Sequence, residues 1–191
     1  HGHHRRQRQM CIRDSFTADT PNGKKISIML EEIQFEYKVT KVNLFKNEQF
    51  NPEFKKISPF NKIPVIKDHE NGKTIFESGA ILIYLGNKSG KFYDEKNKDQ
   101  INQWLMAQMG YVGPMLGQHH QFHHYNPGKS KFGEDRYFKI SKAIYNDLDL
   151  RLSQSKFLAG EEYSIADIAT WPWIARPVSY THLTLPTMMS V

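Results

Sequence analysis

Cysteine is almost absent from this 191-residue chain, which has Cys11 alone. A single thiol makes no internal disulfide and no CxxC pair, so any redox chemistry has to borrow its thiol. Long apolar runs are missing as well. The longest inside the chain, Ala80 to Leu85, has six residues, against roughly 18 or more for a bilayer span, so no membrane segment is expected. No stretch is both Pro/Gly-rich and polar, which excludes disorder over most of the chain. A stripe of one charge sign is also lacking. The net charge is +6, but setting aside Arg5, Arg6, Arg8, Arg13 and Asp14 at the N-terminal end leaves +3 on the remainder. There Lys is interleaved with Asp and Glu as on a solvated surface, so no nucleic-acid partner is expected.

The two ends read differently from the middle. Residues 1–14, HGHHRRQRQMCIRD, have no usable apolar period, and residues 177–191, PVSYTHLTLPTMMSV, carry no charge. RRQRQMCIRDS and PVSYTHLTLPT resemble translated sequencing-adapter read-through, so both stretches are set aside as non-native-looking. A His-bearing tag or a basic arm is the alternative for the first.

The length suffices for two compact lobes, each with a core of its own. Thr20-Pro21-Asn22-Gly23 signals a helix start, and Ile26, Met29, Leu30 and Ile33 follow at amphipathic spacing. Tyr37 to Asn43 alternates and is β-branched, as a strand with one covered face should be. Asn51-Pro52-Glu53 opens a short helical turn. Ile63-Pro64-Val65-Ile66 and Lys73-Thr74-Ile75-Phe76 read as a hairpin across Asn71-Gly72. Glu77-Ser78-Gly79 then starts an apolar helix running towards Gly90. This order predicts an α/β thioredoxin-like domain over 15–90.

Lys91 to Asn97 is polar and marks a linker. Beyond it, Ile101, Trp104, Leu105 and Met109 space one helix, and Tyr137, Ile144, Leu148 and Leu152 another, predicting an all-α domain over 98–176. Ser164-Ile165-Ala166-Asp167 is a capping box, with Tyr163 placed to staple onto Ile168. Trp171, Pro172 and Trp173 continue that helix, and further C-terminal helices are expected to be missing. In this arrangement the first strand, drawn from Ile12 to Thr17, would lie inside the sheet. An unpaired Arg13 or Asp14 there would cost several kcal/mol.

TPNGKKISIMLEE, NEQFNPEFKKISPFNKIPVI, FESGAILIYL, GPMLGQHHQFHH and YSIADIATWPW, in this order over about residues 16–176, resemble the glutathione transferase superfamily, in particular its bacterial nu-class disulfide-bond reductases. The resemblance implies glutathione as cosubstrate, a homodimer, and a cytoplasmic enzyme acting on a small-molecule thiol, disulfide or electrophile.

It also implies a site, residue by residue. Glu77 and Ser78 at a helix start would hold the γ-glutamyl end, Glu77 taking its ammonium group and Ser78 with free N–H groups its carboxylate. Ile63, before a cis Pro64, would pair its backbone with the middle of the tripeptide. Gln49 would reach the glycyl end, and Arg136 matches a helical-lobe position associated with the tripeptide. Thr20 and Asn22 would be catalytic, facing the glutathione sulfur where donors and a helix N-terminus favour the thiolate. Phe16, on the first strand, has no hydroxyl to offer. Taken alone, without the resemblance, Thr20 and Ser78 read as N-caps, Asn22 as a turn residue, Gln49 as an exposed loop residue and Arg136 as a solvent-facing side chain.

His119, His120, His123 and His124 form two i, i+4 pairs, but no cysteine or placed carboxylate completes a metal set, so no metal is expected; the resemblance puts this segment beside the substrate cleft, and cleft lining or surface are the alternatives. The three Trp read as packing residues. The resemblance thus implies a glutathione-dependent reductase or transferase; the alternative is a glutathione-binding regulatory module without turnover.

Overall fold

A computed structural model describes residues 13–175. Strand β1 (Arg13–Thr17) leads into helix α1 (Pro21–Ile33), β2 (Tyr37–Lys41), two 3-10 turns and the short α2 (Pro52–Ile57); the hairpin β3 (Val65–Asp68) and β4 (Lys73–Phe76) precedes α3 (Ser78–Ser89). The sheet order is β2-β1-β3-β4, with β1 parallel to β2 and antiparallel to β3, and β3 antiparallel to β4. This is the thioredoxin-like plan. Gly72 has φ of 70°, the left-handed conformation the tight β3–β4 turn requires.

The helical part contains α4 (Lys98–Ala107), α5 (Gly113–His120), α6 (Lys131–Gln154) and α7 (Ile165–Ile174), with π-helical turns at Gln108–Val112 and Gln121–Tyr125. The capping box forms: Asp167 Oδ2 accepts from the Ser164 N–H at 3.0 Å, and the Ser164 hydroxyl accepts at α7's first turn. Asp167 Oδ1 also accepts from the Leu158 N–H at 2.9 Å, tying the preceding loop to α7. Tyr163 packs on the rings of Phe92 and Phe157.

One core is shared between the two parts, while the helical part also has a cluster of its own around Leu116, Ile144 and Leu148. Ile26, Met29 and Leu30 of α1 and Leu82 and Leu85 of α3 lie in one buried cluster with Leu105 of α4 and Ile168 of α7. The apolar face of α1 finds too little cover on a four-stranded sheet, and α7 supplies the rest. Strand β2 is less covered than its alternation predicts, because it forms a sheet edge and leaves Val39 exposed.

The first strand corrects a second expectation. Arg13 and Asp14 lie in β1, inside the stretch 1–14 set aside above, and β1 is flanked by β2 and β3. The charges are tolerated because they are partnered. Arg13 Nε lies 3.4 Å from Asp68, its guanidinium stands 4.1 Å over the Phe35 ring, and Asp14 pairs with His69 at 2.8 Å. Asp68, fully buried, also accepts from the Tyr84 hydroxyl at 2.7 Å and from Lys88. Burial pushes its carboxyl up, but Lys88, Tyr84, the Glu70 N–H and Arg13 outweigh burial and hold it at about 2. Ile12, Cys11 and the tail from 176 to 191, where the missing helices were expected, lie outside the described residues.

Candidate functional site

The start of α1 is built by a threonine and a glycine. Thr20 is extended and its Oγ1 accepts from the Gly23 N–H at 3.1 Å, which leaves its own hydroxyl hydrogen free to donate outward. Gly23 lies so close to the preceding loop that a Cβ would stand 2.3 Å from the Ala18 carbonyl oxygen and 2.4 Å from Thr17 Oγ1. Pro21 at the first helical position carries no N–H to satisfy. The helix N-terminus is thereby fixed with its positive end facing the space between sheet and helices.

Three cavities meet there, and Asn22 is the residue common to their walls. The largest, about 570 Å³, runs between the α1 start, the 44–63 segment and α5, and is lined by Thr20, Gln49, Ile63, His120 and Trp173 among others. A small one, about 130 Å³, is walled by Ile63, Pro64, Glu77 and Ser78. A third, about 460 Å³, opens between α1, α3 and the helical part, against Lys25, Ser78, Gln108 and Trp173.

The structure thus brings Thr20, Asn22, Gln49, Ile63, Pro64, Glu77 and Ser78 to one connected region. The Ile63–Pro64 bond is cis. Gln49 Oε1 is buried without a hydrogen-bond partner among the described residues, and so is Asn61 Oδ1 on the same wall. Two orphan acceptors fit the N–H groups of a peptide-like ligand. Ser78 is buried at the first turn of α3, where the leading N–H groups lack intrahelical partners. Glu77, just before it, has φ of 68°, an uncommon conformation for a residue with a side chain. Such conformations cluster where a site fixes the backbone. Arg136 is not brought to these cavities: it is exposed on α6, its guanidinium 6.0 Å from the Tyr137 ring centroid.

Two further residues belong to the region. Trp173, expected to serve packing alone, donates from Nε1 to Asn22 Oδ1 at 3.0 Å across the two parts of the chain. That bond fixes the Asn22 amide, leaving its NH2 as the outward donor. Lys25 is 1 % exposed, and its Nζ lies 2.7 Å from Gln108 Oε1 and 3.4 Å from Ser78 Oγ. Burial lowers its pKa to about 7 against the opposing pull of Glu77. Neither role was visible in sequence, because each depends on contacts 53 to 151 residues apart along the chain. A lysine inside an otherwise apolar helix face was the one available signal.

The His segment makes two close ring pairs, the first tilted and the second stacked. His119 and His123 ring centroids are 4.3 Å apart, and His120 and His124 centroids 4.7 Å. Burial, reinforced by His123 and His120, lowers the His119 pKa to about 4. No group of three or more potential metal ligands occurs among the described residues. His120 faces the large cavity, and His119 lies in the core of the helical part.

Residues 16–87 match the family described as Glutathione S-transferase, N-terminal domain. The chain is 47 % identical over 168 residues to the disulfide-bond oxidoreductase YfcG of Escherichia coli, covering 84 % of this chain and 78 % of that protein. It is 29 % identical over 194 residues to the transcriptional regulator URE2 of Saccharomyces cerevisiae, covering 80 % of this chain and 55 % of the regulator. A glutathione transferase from Pseudomonas putida, solved with one glutathione disulfide per subunit, superposes with a TM-score of 0.82 at 41 % identity, over 91 % of this chain and 78 % of that one. Likeness in sequence over most of both lengths, together with the sheet order and the helix-start cradle, means that the chain belongs to the glutathione transferase superfamily.

Proposed function

We propose that the protein is a glutathione-dependent disulfide-bond reductase that also transfers glutathione to electrophiles. The observation that carries this reading is the position of Asn22, beside Thr20 at a helix N-terminus and at the junction of all three cavities. The γ-glutamyl end lies against Glu77 and Ser78, the middle of the tripeptide along Ile63, and the glycyl end towards Gln49. The sulfur then faces the Thr20 hydroxyl and the Asn22 amide, whose donors, with the helix N-terminus, favour the thiolate. The large cavity holds the second substrate. The thiolate attacks one sulfur of a disulfide, the S–S bond breaks, and the leaving thiolate takes a proton from water. A second glutathione thiolate attacks the glutathione sulfur of the mixed disulfide, releasing glutathione disulfide and the other thiol. Such turnover draws on reduced glutathione, which fits the cytoplasm.

A homodimer accompanies this reading. Phe45 is fully exposed on the thioredoxin-like part and Phe132 is exposed on α6, whereas the exposed Phe50 and Phe60 border the large cavity. Apolar surface of this kind fits a partner surface better than water. The likeness to URE2 supports a second reading, a regulatory module that binds glutathione without turnover. The two separate in one experiment: glutathione-dependent reduction of bis(2-hydroxyethyl) disulfide by the parent, Asn22→Ala and Thr20→Ala. The reductase reading expects turnover that falls at least tenfold in Asn22→Ala with glutathione still bound. Binding without turnover in the parent overturns it in favour of the regulatory reading.

A further inference from the structure

The cluster around Lys25 has a chemistry that packing does not explain. Its members come from three elements: Lys25 from α1, Ser78 from the first turn of α3, and Gln108 and Met109 from the π-helical turn after α4. The Lys25 ammonium donates to Gln108 Oε1 at 2.7 Å, to Ser78 Oγ at 3.4 Å and to Met109 Sδ at 3.7 Å. Among the described residues the Ser78 hydroxyl has only the weak acceptor Met109 Sδ, at 3.6 Å, for its own hydrogen. Gln108 Nε2 is buried with no partner among the described residues. The cluster is therefore rich in donors and poor in acceptors, and it borders the third cavity. The charged group facing Lys25 is Glu77, which makes no direct hydrogen bond to it. An anion is what such a cluster lacks.

We propose that Lys25 is a positioning residue for the γ-glutamyl carboxylate: by occupying a lone pair of Ser78 Oγ, its ammonium group turns the Ser78 hydroxyl into a donor aimed at that carboxylate. The inference rests on the reading that Ser78 receives the γ-glutamyl end. A neutral amine reverses the hydrogen bond, because it can accept from Ser78, and the carboxylate then loses both a donor and a nearby positive charge. Linkage requires the converse, that bound carboxylate favours the ammonium form and draws a proton onto Lys25. Since burial sets the Lys25 pKa near 7 in the unliganded protein, the exchange falls in an accessible range.

The test uses S-methylglutathione, whose blocked sulfur does not titrate, with calorimetry from pH 6.5 to 8.5. The parent should lose about five- to tenfold in affinity across that interval. Lys25→Met should bind about tenfold more weakly at the acid end and lose the parent's excess slope; titration of the ligand's amine is common to both and drops out. Ser78→Ala should also bind weakly with most of the excess slope gone. A Lys25→Met protein with the parent's slope, whether or not uniformly weakened, overturns the inference, since a merely structural role leaves the pH profile alone. If Lys25→Met does not fold, the parent decides: in two buffers of different ionisation enthalpy near pH 7.5, proton uptake on binding supports the inference and zero uptake overturns it. Unchanged affinity in Ser78→Ala overturns the underlying placement of glutathione. A weakened Ser78→Ala with its slope intact overturns the role of Lys25 alone.

Discussion

Trp173 and Gly23 both shape the start of α1, Trp173 through the Asn22 amide and Gly23 through its close approach to Ala18 and Thr17. The indole N–H of Trp173 fixes the Asn22 amide, so Trp173→Phe keeps an aromatic body against Gly113 and Gly117 but frees that amide. Turnover should fall several-fold with little change in the urea midpoint, because one hydrogen bond contributes only about 1 kcal/mol to stability. Unchanged kcat in the folded variant would return Trp173 to a packing role. Gly23→Ala drives a methyl group into the Ala18 carbonyl oxygen and Thr17 Oγ1. The side chain can turn away but the backbone oxygen cannot, so a loss of about 1–3 kcal/mol is expected from denaturant titration. The helix start should shift with it and glutathione affinity should fall.

At the scale of elements, the ion cluster joining β1, β3 and α3 replaces an apolar contact. Asp68→Asn leaves Arg13 and Lys88 without their carboxylate at a buried position, and should cost about 3–5 kcal/mol in urea unfolding. A cost under 1 kcal/mol would mean that Glu70 and the Phe35 ring suffice. The same cluster shows where sequence reading reaches its limit. Helices α1 and α3 are legible because their apolar spacing, Pro21, and Gly90 at the C-terminal end are local signals. Strand β1 defeats that reasoning, since Arg13 fits an interior strand only when Asp68, 55 residues away in β3 and next to Arg13 in the sheet, takes its charge. The π-helical turns are equally hidden, although one of them places Gln108 and Met109 against Lys25. Thr20, Asn22 and Ser78 are legible as helix-start residues, and only the run of motifs around them tells a cap from a ligand site.

For the whole molecule, two buried bases set the direction of the pH response. His119 stays neutral in the fold down to about 4, whereas in the unfolded chain it takes its proton from about 6.5 downward. The unfolded state binds more protons across that interval, so stability rises with pH there and is lost as pH falls, by about 1–3 kcal/mol in all. Asp167, held up by burial, works in the opposite sense near the carboxylate range. Lys25 repeats the His119 pattern higher up: between about 7 and 10.5 the unfolded chain holds a proton that the unliganded fold does not, and stability rises by up to about 1 kcal/mol per pH unit. Urea midpoints measured without glutathione should therefore climb from pH 5 to 6.5 and again from 7 to 9, and His119→Phe should remove the first climb only. Light scattering at micromolar concentration should give twice the chain mass, and a monomer would leave Phe45 without the proposed cover. The bond from Trp173 to Asn22 has an optical consequence. Indole emission depends on what its N–H donates to, and the chain contains only two other tryptophans, Trp104 and Trp171. Replacing those two by Phe leaves a protein whose fluorescence comes from the residue that touches the proposed sulfur-binding amide, so that glutathione arrival, mixed-disulfide formation and product release can be followed in real time without a label.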